Sequence, residues 1–203
     1  KIETIDSKTK LKYTQCFRDN MKTKDKPIIT KCSNKPITTI TFIPDYERFG
    51  MTGLDTDTNS LLEKRVYDMC ACTDKSVNVF LNNEKLGVKS FDKYVDLYIG
   101  NKENQQRVHS VVNDRWEVVA TYSNDDVFEQ VSFVNGINTI RGGKHVEYVS
   151  DQIRDKFIEM FKKKRKMDIK GQIVKNQLLL FVRSTIVNPS FDSKTKETLT
   201  TPK

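Results

Sequence analysis

The sequence predicts an α+β fold in which one sheet carries helices packed on one face. Three observations point there. Gln177 to Val187 is an almost unbroken apolar run, as expected of a strand buried in the middle of a sheet. Between Lys144 and Lys164, Val146, Val149, Ile153, Phe157 and Phe161 recur at spacings of 3, 4, 4 and 4, which draws one apolar stripe along a helix. Arg115 to Tyr122 and Val127 to Asn135 read as two strands joined by the turn Ser123-Asn124-Asp125-Asp126.

The remaining elements follow in chain order. Leu11 to Phe17 and Thr38 to Pro44 are rich in β-branched and aromatic residues and read as strands, with a turn at 23–27. Pro44-Asp45 and Gly50 break that pattern. Ser60 with Glu63 three residues later forms a capping box, and Leu62, Val66 and Met69 make one apolar helix face. A domain boundary is placed near residue 54, giving 1–54 and 55–203. Val77 to Leu81 and Lys85 to Val88 form a hairpin about Asn82-Asn83, because asparagine tolerates the positive φ of a tight turn. Ser90 caps a short helix with Phe91, Tyr94, Val95 and Tyr98 inward. Residues 100–110 are polar and read as loop, as does everything after Asn188-Pro189. From residue 55 the order is β-α-β-β-α-β, with no internal repeat.

Composition narrows the function. A net charge of +8 favours an anionic partner such as nucleic acid or nucleotide. The charge is local: from Arg154 to Lys175 there are nine bases against three acids. Cys16, Cys32, Cys70 and Cys72 are too few and too irregular for a disulfide scaffold, and a Cys-x-Cys pair without further ligands makes no zinc site. Reduced thiols in an intracellular protein, and no metal site, are expected. No run of about 18 apolar residues and no signal peptide appear, so neither membrane spanning nor secretion is expected. Residue 1 is Lys and the last four residues are Thr-Thr-Pro-Lys, so both ends read as cut.

Few residues suggest chemistry by themselves. Asp55, Asp57, Asp125 and Asp126 are cap and turn residues rather than a paired acid and base. Gly142-Gly143 ahead of a helix reads first as a tight turn and second as an anion nest. His145 then belongs to packing or capping, and His109 lies in polar loop. Lys162-Lys163-Lys164-Arg165-Lys166 reads as a solvated helix end, a nuclear-localisation run or a nucleic-acid contact. No aromatic residue interleaves with these bases, so phosphate contact is favoured over base stacking. Lys196, taken alone, is a solvated loop lysine.

Longer motifs say more. Ser132-Phe133-Val134-Asn135 through Ile137-Asn138-Thr139, Gly142-Gly143-x-His145 and Pro189-x-Phe191-Asp192-Ser193-x-Thr195-Lys196 occur in order. With them come Thr41-Phe42-Ile43-Pro44-Asp45, Lys64-Arg65-Val66-Tyr67-Asp68-Met69, Val88 through Tyr98, Asn113 through Val118 and Val174-Lys175-Asn176. Together they resemble the type IIA DNA topoisomerases, on the eukaryotic rather than the bacterial gyrase pattern, over nearly the whole chain.

The resemblance implies that residues 1–54 are the last strands of a GHKL-type ATPase domain. Residues 55–203 would be the transducer domain, with a ribosomal-protein-S5-domain-2-like fold. It implies ATP and Mg2+ as cofactors, double-stranded DNA as partner and a homodimer in the full-length enzyme. Lys196 would reach the γ-phosphate of ATP, with Thr195 and Lys194 beside it. Lys162, Lys163, Lys164, Arg165 and Lys166 would face DNA. Lys194 stands where the family has glutamine, and with Gly136 this departure suggests a divergent eukaryotic or large-DNA-virus lineage, acting in the nucleus, or in the cytoplasm if viral. The family's catalytic glutamate and DNA-cleaving tyrosine have no counterpart here, so the chain alone is expected to be inactive. The competing reading is a self-contained S5-like nucleic-acid-binding module, which has no use for a phosphate-sensing loop. A small-molecule kinase on the same fold lacks its glycine-rich loop in a chain with eight glycines.

Overall fold

The structure, a computed structural model, describes residues 1–103 and 105–202. It divides into two compact units, Lys1–Asn59 and Ser60–Lys203. In the first, β1 (Ile2–Asp6), β2 (Leu11–Gln15), β5 (Ile28–Lys31) and β6 (Ile37–Ile40) form an antiparallel sheet ordered β5-β2-β1-β6. Between them β3 (Phe17–Arg18) and β4 (Thr23–Lys24) pair as a small separate ribbon. The strand expected over 11–17 therefore breaks at Cys16, the one over 38–44 is shorter, and β1 and β5 were not anticipated. None of the first 59 residues is buried. Ile28, Ile29, Ile37, Ile40, Phe42 and Ile43 are all exposed.

Helix α1 (Thr56–Cys72) starts earlier than its expected capping box. The Asp55 carboxylate accepts the Thr58 amide at 2.7 Å, so Asp55 caps the helix and Ser60 lies a turn inside it. The expected apolar face also shifts. Asp68, Cys70 and Ala71 are buried and Tyr67 packs on the core, while Leu62 and Met69 stay exposed. A buried carboxylate sets this face: Asp68 accepts the Tyr94 hydroxyl at 2.6 Å and Lys64 Nζ at 2.9 Å.

The hairpin of β7 (Phe80–Leu81) and β8 (Glu84–Lys85) turns through Asn82 and Asn83 at φ 50° and 68°, as expected. Helix α2 (Phe91–Ile99) follows with the expected cap, the Lys93 amide donating to Ser90 Oγ at 3.2 Å. The main sheet contains β9 (Arg107–Asn113), β10 (Trp116–Tyr122), β11 (Glu129–Val134), β12 (Ile137–Asn138) and β13 (Leu178–Ser184), in the order β12-β11-β13-β10-β9. Strand β13 is central, parallel to β11 and antiparallel to β10.

Two expectations fail here. Part of the stretch read as loop over 100–110, in which Asn104 lies outside the described residues, is the edge strand β9. Its polarity hid it, because its inner side makes polar contacts: Arg107 forms ion pairs with Asp92 and Asp96, and His109 Nε2 lies 2.8 Å from Glu117 Oε1. The helices also cover both faces of the sheet rather than one. Ala71 of α1 and Phe91, Tyr94 and Val95 of α2 pack on Val119, Phe133 and Phe181. Helix α3 (Lys144–Arg165) puts Val149 against Leu178, Leu180 and Val182 on the other face. A strand apolar on both sides needs cover on both sides. Helix α3 otherwise has the expected limits and ends at Lys166 in the left-handed region, φ 53°. A short helix not anticipated, α4 (Gly171–Asn176), precedes β13.

Candidate functional site

The segment after β13 is a braced loop. Asn135 fixes its exit, its side chain donating to the Ile186 carbonyl at 2.9 Å and accepting the Ile186 amide at 2.8 Å. The two stems then pair across the loop: the Asp192 amide donates to the Thr198 carbonyl at 3.2 Å and the Thr200 amide to that of Ser190 at 2.9 Å. The Asp192 carboxylate accepts the Thr198 amide at 3.1 Å and Ser193 Oγ at 3.2 Å. These donors, Thr198 foremost, hold its carboxyl below the usual range.

Lys194, Thr195 and Lys196 form the exposed tip. The Lys196 amide donates to the Ser193 carbonyl at 3.2 Å, and Thr195 Oγ1 lies 2.9 Å from Ser193 Oγ. Lys196 Nζ rests 5.7 Å from the centre of the Phe191 ring, within cation–π range. Among the described residues no carboxylate pairs with Lys194 or Lys196.

The loop stands on the start of α3. Leu199 is buried; its amide donates to the Gly142 carbonyl and its carbonyl accepts the Lys144 amide, both at 3.0 Å. A Cβ on Gly143 would lie 2.3 Å from the Leu199 oxygen and 2.5 Å from its nitrogen, and Gly143 has φ 129°. Only glycine lets the two backbones approach so closely. The pair is thus a turn, and the Leu199 carbonyl occupies a helix-start N–H that an anion nest would need free. Nearby, Arg141 Nε pairs with Glu197 at 3.0 Å and the Arg141 amide donates to the Glu197 carbonyl. His145 is buried with Nε2 3.2 Å from Thr139 Oγ1, and burial pushes its pKa down to about 4. It is neutral near pH 7 and packs, as expected.

The basic run closes α3 at the other end. Lys162 lies 3.8 Å from Asp168, and Lys163 pairs with Glu159 at 2.7 Å. Lys163 and then Lys156 draw the Glu159 carboxyl down to about 2. Such exposed pairs are weak and exchange readily with another anion. Lys164, Arg165 and Lys166 are exposed, with no carboxylate partner among the described residues. The helix has 22 residues, which separates this cluster from the seat of the Lys196 loop by about 30 Å along the axis. The fold therefore does not bring the two groups together. It sets them at opposite ends of one helix.

A family model described as DNA gyrase B matches residues 80–203. The chain belongs to the DNA gyrase B family. Among its relatives, DNA topoisomerase 2 of Arabidopsis thaliana is 48% identical over 207 residues, spanning 98% of this chain and 14% of the plant protein. Probable DNA topoisomerase 2 of Dictyostelium discoideum is 47% identical over 203 residues, with 98% and 13% covered. The solved ATPase region of Saccharomyces cerevisiae topoisomerase II superposes with a TM-score of 0.91 at 39% identity, covering 99% of this chain and 51% of that one. The ATPase and transducer domains of DNA topoisomerase II from Balamuthia mandrillaris give 0.91 and 39%, with 99% and 52% covered. The chain spans about half of those solved regions and a small part of the curated relatives. The eukaryotic pattern read from the motifs is the one these relatives carry.

The tip offers two exposed ammonium groups, and its one hydroxyl, Thr195, is engaged with Ser193 Oγ. Among the described residues no group of three or more His, Cys, Asp or Glu is placed to hold a metal ion. No helix among them is long and apolar enough to cross a membrane. Sequence reasoning missed the braces of the loop, Leu199, Glu197 and Arg141. A lone leucine inside the polar run Lys196-Glu197-Thr198-Leu199-Thr200-Thr201 was the available signal.

Proposed function

We propose that this chain is the transducer part of an ATP-dependent type II DNA topoisomerase. Residues 55–203 form the transducer domain, and residues 1–54 are the last strands of a GHKL-type ATPase domain. The exposed isoleucines of the first unit, which has no buried residue, support the second assignment, because such a sheet needs further cover to build a core.

One observation carries the reading: the Lys194–Lys196 tip is a solvent-facing cationic point on a braced loop, within the motif shared with the family. Lys196 meets the γ-phosphate of bound ATP, where its point charge offsets negative charge during transfer. Thr195 lies between the two lysines of the tip. Lys194 supplies a second charge where the family's glutamine would supply an amide. ATP bound with Mg2+ provides the phosphoryl chemistry. This chain's residues sense the terminal phosphate.

At the other end of α3, Lys162, Lys163, Lys164, Arg165 and Lys166 contact the phosphates of captured double-stranded DNA without reading its sequence. The intact protein works as a homodimer whose two ATPase domains close about a two-fold axis. The transducer couples phosphate state to domain rotation, through interactions made in one nucleotide state only. The result is double-strand passage and changed DNA topology. The eukaryotic sources of the relatives support action in the nucleus.

The test is Lys196→Ala in the intact protein, followed by phosphate release and by relaxation of supercoiled DNA. Both fall together, turnover by about tenfold or more. Unchanged ATP hydrolysis would remove Lys196 from its role.

A further inference from the structure

Lys196 is held in a conformation that lysine rarely adopts. Its φ of 60° lies in the left-handed region, which is uncommon for a residue with a side chain. The fastenings lie on either side of the tip. Below it, Leu199 is seated on Gly142 and Gly143, and Glu197 is tied to Arg141. Above that seat, the Asp192 carboxylate bridges from Ser193, at the start of the tip, to the Thr198 amide beyond its end.

Hydrogen-bond donors stabilise a carboxylate's negative charge without removing it, so a carboxylate beside an anion-binding tip supplies no attraction for an anionic ligand. Here Ser193 O–H and Thr198 N–H both donate to Oδ1, which becomes the clasp of the loop. Asp192 has no donor to offer a phosphate. What it can do is fix the span from 193 to 198, and with it the backbone angle that aims Lys196.

We propose that Asp192 is the positioning residue of the phosphate loop, closing the 193–198 tip so that Lys196 is presented before nucleotide arrives. This rests on the reading of Lys196 as the γ-phosphate sensor. Pre-setting a charged group avoids reorganisation at the moment of transfer, so its loss appears in turnover more than in substrate affinity.

The experiment measures ATP turnover of the intact protein in four variants: Lys196→Ala, Asp192→Ala, Asp192→Asn and the Lys196→Ala/Asp192→Ala double. Asp192→Ala is expected to lower kcat about tenfold with KM changed less than about threefold. Asp192→Asn keeps an acceptor oxygen for both donors and recovers most of the turnover. The double variant is no slower than Lys196→Ala alone, since a positioning residue has nothing left to position. If Asp192→Ala turns over normally, or if its loss multiplies with that of Lys196→Ala, the proposal is overturned while the sensor reading stands. If Lys196→Ala itself has no effect, the sensor reading fails first. Should Asp192→Ala not fold, Asp192→Asn decides in its place: a loss as large as that of Lys196→Ala contradicts the clasp.

Discussion

Gly143 has no room for a side chain, because the Leu199 backbone lies where a Cβ would be. Gly143→Ala should therefore cost about 2 kcal/mol or more, from backbone overlap and an unfavourable φ combined. Urea unfolding of the chain would show it as a lower midpoint. His145 gives a pH dependence of definite sign. Its pKa falls from 6.5 to about 4 on burial, so the folded state disfavours the proton that the unfolded chain accepts. Its contribution is complete above pH 6.5 and is lost as pH falls toward 4, by about 2 kcal/mol at pH 5. Comparing urea midpoints at pH 7 and pH 5 tests this, and His145→Gln should flatten the difference. Both glycine and histidine were legible in kind, a turn and a packing residue. Lys196 was not: as a lone residue it reads as solvated, and only its motif marks it. Asp192 reaches Thr198 six positions on and Leu199 reaches Gly142 and Lys144 far back in the chain, contacts that no local pattern reveals.

Helices α1 and α2 are pinned together by a buried carboxylate. Asp68 accepts from Tyr94 and Lys64, and burial raises the Tyr94 hydroxyl's pKa, keeping it a donor at every ordinary pH. Tyr94→Phe removes one donor from a buried acceptor and should cost about 1–3 kcal/mol in urea unfolding. A change within a few tenths would mean that Lys64 alone satisfies Asp68. The same hydrogen bond explains a misread element. The α1 face was sought among Leu62, Val66 and Met69, since apolar periodicity cannot register a helix that buries an aspartate. Strand β9 escaped for a related reason, its inward residues Arg107 and His109 being polar. Where burial is chiefly apolar, as in α2, α3 and β13, the elements were legible, α3 to within a residue of its ends and β13 with its last three expected residues outside the strand. The hidden consequence lay in β13: Leu178 to Val182, apolar at five successive positions, already required helices on both faces of the sheet.

At the scale of the molecule, α3 sets the loop carrying Lys194–Lys196 at one end and five basic residues at the other, about 30 Å apart. On the proposed function this helix is the link between nucleotide state and captured DNA. Lysines that neutralise DNA phosphates release counterions, so replacing Lys162, Lys163 and Lys164 by alanine should flatten the salt dependence of DNA binding. The log–log slope changes by about 0.9 for each phosphate that is no longer neutralised. The first unit gives no such handle, since its isoleucines are exposed and none of its residues is buried. The most direct test of the link is the ratio of ATP turnover with and without duplex DNA, in the intact protein and in the triple lysine variant. The ratio is expected to fall toward one when the lysines are removed. A ratio unchanged by their removal would contradict the link, leaving the basic end of α3 a solvated helix terminus.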